Sequence, residues 1–115
     1  MAQFDFDGFV NRLQLHMPNS VIVKHVAFGA VSVTYLDGVP SFNDASEALR
    51  RGDVEIAVWA ILSHVQDHVV LCLRRAWPEM RGNIAIPQVT RHGGVLHAWF
   101  GTATEVVVDL GTFPA

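Results

Sequence analysis

Two groupings of histidine and carboxylate in this chain have a spacing that could support chemistry. His64 and His68 lie four residues apart within VWAILSHVQDHVVLCL. On a helix their imidazoles would stand one turn apart on one face and could both reach a metal ion. Asp67 is their neighbour, and a third ligand would have to come from His16, His25, His92 or His97. Val65 stands where the zinc-binding HExxH pattern carries its glutamate, so that hydrolytic arrangement is absent. We read the two histidines as the polar flank of an amphipathic helix and expect no metal or other cofactor. The second grouping is the C-terminal stretch HAWFGTATEVVVDLGTF, where His97 and Asp109 fall on two successive strand-like runs. A carboxylate bonded to an imidazole fixes its tautomer and equips it to take a proton from a nucleophile.

His97-Ala98-Trp99, followed by a strand ending in Val108-Asp109, resembles the His–Asp half of the transglutaminase-like and papain-like cysteine hydrolases. The resemblance covers this hairpin alone. It implies a cysteine nucleophile at the start of a helix, a histidine opening a strand and an aspartate on the neighbouring strand. Carried onto this chain, the catalytic set would be Cys72, His97 and Asp109. The chain departs from that pattern at the thiol. Cys72, its single cysteine, falls late in a helical run and on an apolar stripe, where burial keeps a thiol protonated and unreactive. We therefore expect Cys72 to be a packed core residue.

The element that must position these groups is Asp53 to Trp77, bounded by Gly52 and Pro78 and free of both residue types inside. Asp53 is placed to cap it, Glu55 lies at the positive end of the helix dipole, and Arg74 and Arg75 at the negative end. One helix of roughly 35 Å is expected, at about 1.5 Å per residue. Val54, Val58, Ile61, Val65, Val69, Cys72 and Ala76 recur at three- and four-residue steps and form one apolar stripe. A second carries Trp59, Leu62, Val70, Leu73 and Trp77, interrupted by Gln66. The first stripe should face a sheet. The second should lie against another helix, another subunit or both, with Trp59, Leu62, Val70 and Trp77 as interface candidates.

Around this helix the pattern places a helix over 5–17, capped by Asp5 or Asp7, as a cover for the second stripe. Strands follow at 21–28 and 30–36, then a short helix in ASEALRR behind Asn43 or Asp44. After a loop over 78–83, NIAIPQVT reads as an edge strand because Pro87 cannot donate to a ladder. VLHAWF (95–100) and TEVVVDL (104–110) read as a hairpin with a three-residue loop. That register pairs Gly101 with Glu105, Trp99 with Val107 and His97 with Asp109. It gathers Ala98, Phe100, Val106, Val108 and Leu110 on the core face. The order α-β-β-α-α-β-β-β predicts a single α+β domain over 1–115, a largely antiparallel sheet packed on one long central helix.

Composition narrows the function classes. Half of the residues are hydrophobic, 17% are charged and the net charge is −3. That mild acidity argues against nucleic-acid binding, which needs a basic field. A lone cysteine gives no internal disulfide, and the opening MAQFDFDGF has aspartates where a signal peptide would be basic. We find no apolar run of the ~18–20 residues a membrane span requires and expect a soluble cytoplasmic protein. The apolar surplus in Trp59, Trp77, Trp99, Phe42 and Phe113 points to a small protein–protein interaction or assembly module, whose partner is itself or another protein. The alternative is a cysteine hydrolase, active or degenerate, using Cys72, His97 and Asp109.

Overall fold

The structure is a computed structural model and describes residues 4–115. The first three residues of the N-terminal stretch read above for a signal lie outside the described residues. Asp5 starts helix α1 (Phe6–Leu15) by accepting the Gly8 N–H at 2.9 Å, and Phe6, Phe9, Val10 and Leu13 form its buried face. Strands β1 (Val21–Ala27), β2 (Ala30–Tyr35) and β3 (Ser41–Asp44) make one antiparallel sheet in that order. Asp44 Oδ1 accepts the Ser46 N–H at 2.9 Å and leads into the short helix α2 (Ser46–Arg50).

Helix α3 (Val54–Leu73) is followed by a two-stranded ribbon, β4 (Glu79–Met80) and β5 (Asn83–Ile84). A second antiparallel sheet contains β6 (Ile86–His92), β7 (Val95–Gly101) and β8 (Val106–Pro114). The fold is α+β, as predicted. The expected succession of helices and strands is present, with β3, β4 and β5 added to it. The first of these arises because Ser41 and Asn43 pair with Val33 and Val31 of β2. β6 is an edge strand, as its proline requires.

α3 runs between the sheets, touching β2 and β3 on one side and β6 on the other. Val54, Val58, Ile61, Val65 and Val69 of the first stripe are buried, together with Ala57, Leu62 and Gln66. The helix is shorter than 53–77. Arg74 adopts a left-handed conformation (φ 56, ψ 40) while donating its N–H to Val70 O, so Arg74 and Arg75 lie past the last turn. The physical reason is tertiary. Gln66 donates through Nε2 to Trp77 O at 3.2 Å and Ala85 O at 2.6 Å, and the Trp77 ring packs 5.4 Å from Phe100. The chain must turn to make those contacts. At the other end, the Asp53 carboxylate pairs with Arg51 at 3.2 Å instead of capping the helix with its side chain. At 20 residues, α3 also has the length and apolarity to cross a membrane, which corrects the reading that no run does; in this fold it is the core helix.

α1 does not cover α3 as expected; its main neighbours are β1 and β8. Phe9 meets Phe113 edge-on at 5.6 Å. Polar side chains of α1 close both outer sheet edges. Gln14 donates to Val21 O at 3.2 Å and accepts from Val23 N at 2.5 Å. Arg12 Nη1 donates to Leu110 O at 2.9 Å, with its guanidinium over the Phe113 ring.

The C-terminal hairpin has a different register from the one predicted. Gly101 pairs with Val106, Phe100 with Val108, Trp99 with Asp109, Ala98 with Gly111 and His97 with Thr112. Val107 and Leu110 are therefore extra residues in β8, each producing a bulge. The tight end is held by Thr102, whose N–H donates to Glu105 O at 2.8 Å and whose hydroxyl accepts from Glu105 N at 2.9 Å. Ala98, Phe100 and Leu110 are fully buried and Val108 partly, but Val106 turns outward before the first bulge.

Candidate functional site

β7 alternates its side chains between two environments, as a strand must. Leu96, Ala98 and Phe100 enter the core that contains α3, while His97 and Trp99 take the opposite face. There His97 Nε2 lies 2.9 Å from Asp109 Oδ1, although its backbone partner is Thr112. The bulge at Leu110 sets the carboxylate diagonally beside the imidazole. Asp109 Oδ1 also accepts the Gly111 N–H at 2.8 Å. The bond from His97 is the main force holding the Asp109 carboxyl below its ordinary range. Partial desolvation opposes it, while the Gly111 N–H and the charges of His97 and His16 add to it. The His97 ring rests 4.6 Å from the Trp99 ring, whose Nε1 donates to Thr102 O at 2.7 Å.

The thiol of the resemblance has a different partner. Cys72 Sγ lies 3.6 Å from His68 Nε2, one turn back on α3. Cys72 is half-buried rather than packed in the core, because α3 stops one residue later. The structure thus joins His97 to Asp109 and Cys72 to His68, and makes no hydrogen bond between the two pairs. One turn further back, His64 Nε2 lies 2.9 Å from Ser41 Oγ. Burial is the main influence lowering the His64 pKa and the charge of His68 adds to it, while Asp67 and the Ser41 contact act the other way. Among the described residues no three His, Cys, Asp or Glu side chains converge as a metal site.

The interface candidates divide. Leu62 is fully buried inside the protein, and Trp77 is half-buried on Phe100; neither offers a free surface. Trp59 is exposed to 52% and Val70 is half-buried. On the same side of α3 stand Ile56, exposed to 58%, and Leu71, exposed to 75%. Positions 56, 59, 60, 63, 67, 70 and 71 follow helical three- and four-residue steps. They make one outer face whose only formal charge is Asp67. Ile56 and Leu71 belong to neither predicted stripe. The signal for them was an absence: no Asp, Glu, Lys or Arg falls between Glu55 and Asp67. A helix apolar on every side needs cover on every side.

No family model, curated protein or solved structure matches the chain. The uncovered face of α3 carries three large exposed apolar side chains in helical register.

Proposed function

We propose that this protein is a self-associating assembly module, and that the outer face of α3 docks on the same face of a second copy. The observation that carries the reading is the exposure of Trp59 between Ile56 and Leu71, on a helix whose opposite face is the core. The face is self-complementary. In an antiparallel pair crossing at Ser63, Ile56 of one copy meets Val70 and Leu71 of the other, and Trp59 meets Asp67. Ala60 and Ser63 are small and let the axes approach to about 8–10 Å. A two-fold axis uses each contact twice, which is how most dimers close. The face extends roughly 22 Å along the helix at about 1.5 Å per residue.

The test is mass against dilution. Wild-type protein is expected to sediment at twice 12.7 kDa and dissociate on dilution. Trp59→Ala is expected to sediment as a folded monomer, since an exposed ring leaves no internal cavity behind. A wild-type particle that remains a monomer at millimolar concentration overturns the reading.

A second reading, the cysteine hydrolase using Cys72, His97 and Asp109, draws support from the 2.9 Å His97–Asp109 pair. It requires Cys72 to exchange His68 for a base on the far face of β7. Ester or amide hydrolysis lost equally in Cys72→Ala and His97→Ala, with mass unchanged, would establish it.

A further inference from the structure

A pocket of about 360 Å³ opens at the start of α1, lined by Phe4, Asp5, Phe6, Asp7, His25 and Phe28. Its walls are aromatic and its charged groups are carboxylates. The Phe6 ring lies 5.5 Å from His25 and 6.3 Å from Phe28, inclined at 57° and 61°. The three rings therefore surround the opening at different angles and do not stack into a closed plug. Asp7 Oδ1 reaches His25 Nε2 at 3.1 Å, and Asp5 caps the helix through Oδ1. Among the described residues no lysine or arginine lines the pocket.

These features select the sign of a ligand. A free helix N-terminus attracts anions. Here Asp5 already takes the Gly8 N–H, and two carboxylates face the space where an anion would lie. Ring faces are the negative side of an aromatic quadrupole, so cations are favoured over them, most of all weakly hydrated ones. Asp7 and Asp5 each commit one carboxylate oxygen, to His25 and to the helix, so the three donors of a primary ammonium would have to share the oxygens that remain. A quaternary ammonium asks for none. It needs only ring faces and a nearby negative charge.

We infer that this pocket binds a small quaternary ammonium group, with Phe28 and His25 as its accessible aromatic wall above the buried Phe6, and Asp5 and Asp7 as its counter-charge. In the alternating Phe-Asp-Phe-Asp run at 4–7 the phenylalanines, buried in the core, fix the floor of the pocket, and the aspartates supply the field. The pocket is independent of the α3 face, so either reading can fail without the other.

The experiment is a backbone and aromatic NMR titration of the whole protein with choline, alongside 3,3-dimethyl-1-butanol, its uncharged isostere. Saturable shifts at Gly8, His25 and Phe28 with choline, and none with the isostere, are expected. Phe28 is exposed to 43%, so Phe28→Ala can be made without opening the core. It should weaken choline binding on the order of fivefold, as loss of one partly exposed cation–π wall implies. Asp7→Asn, at an exposed carboxylate, should weaken it further. The inference is overturned by no saturable shift, by an equal response to the isostere, or by unchanged affinity in a folded Phe28→Ala protein.

Discussion

α1 and α3 each bury one face in the same core, but they treat their other faces in opposite ways. α1 presents polar side chains there, and two of them, Arg12 and Gln14, satisfy strand-edge backbone atoms. Of the large apolar side chains of α1 only Leu15, at its last position, is open to solvent. α3 buries Val58, Ile61 and Val65 and then offers Ile56, Trp59 and Leu71 to solvent. The difference is informative because both helices come from one chain with one composition. On α3 three exposed apolar side chains line up on one helical face where a second helix would fit, whereas on α1 Leu15 stands alone.

The sharpest way to break the comparison is to remove one large ring from each helix. Phe9→Ala in α1 empties a fully buried site and should lower unfolding stability by about 3–5 kcal/mol. That loss should be the same at every protein concentration in denaturant melts. Trp59→Ala should instead change the monomer's stability by no more than about 0.5 kcal/mol, as surface substitutions do, while abolishing the dimer. If both variants lose stability equally under dilute conditions, α3 has no special face.

Gln66 gives a result of intermediate size. Its amide donates to two carbonyls at the turn after α3, and Gln66→Leu should cost about 1–3 kcal/mol by leaving those acceptors unpaired. Thermal melts together with Trp77 fluorescence would show whether the turn loosens with it.

The smallest effect concerns pH. Burial chiefly lowers the His64 pKa from its ordinary 6.5, so as pH falls the unfolded chain takes up this proton before the folded one. The stabilisation from neutral His64 is therefore complete above 6.5. It declines as pH falls through that value and levels off below the folded pKa. Melting temperatures between pH 7.5 and 5 should fall less steeply for His64→Gln than for wild type. Identical slopes would show that burial does not hold the His64 ring neutral.

Much of this was legible in the sequence, and the failures share a cause. The four valines and one isoleucine of the α3 stripe were readable because a 3.6-residue period marks a buried face without outside help. The end of α3 was not, since Arg74 turns left-handed to satisfy contacts made by Gln66 and Trp77. The strands around Gly29 and the proline edge of β6 followed from local chemistry. The β8 register did not, because bulges at Val107 and Leu110 break the two-residue period that sequence reasoning relies on. His97 and Asp109 still meet, by a diagonal contact where a direct cross-strand pair was expected. The outer face of α3 was missed in part because Ser63 and Asp67 made that side look polar. Two polar positions among seven do not make a wet surface.

The contacts of α1 with the two sheets differ greatly in sequence span: Gln14 reaches Val21 seven residues away, whereas Arg12 reaches Leu110 across 98. During synthesis the β1 edge can be covered almost as soon as it leaves the ribosome. The β8 edge has to wait until residue 110 has emerged. In that interval a nascent chain holds an apolar helix end and half-built sheets beside any neighbouring chain on the same message. α1 is thus made before both sheets but latched to the second only after Leu110 has emerged, and the period of greatest risk for wrong strand pairing falls between those two contacts.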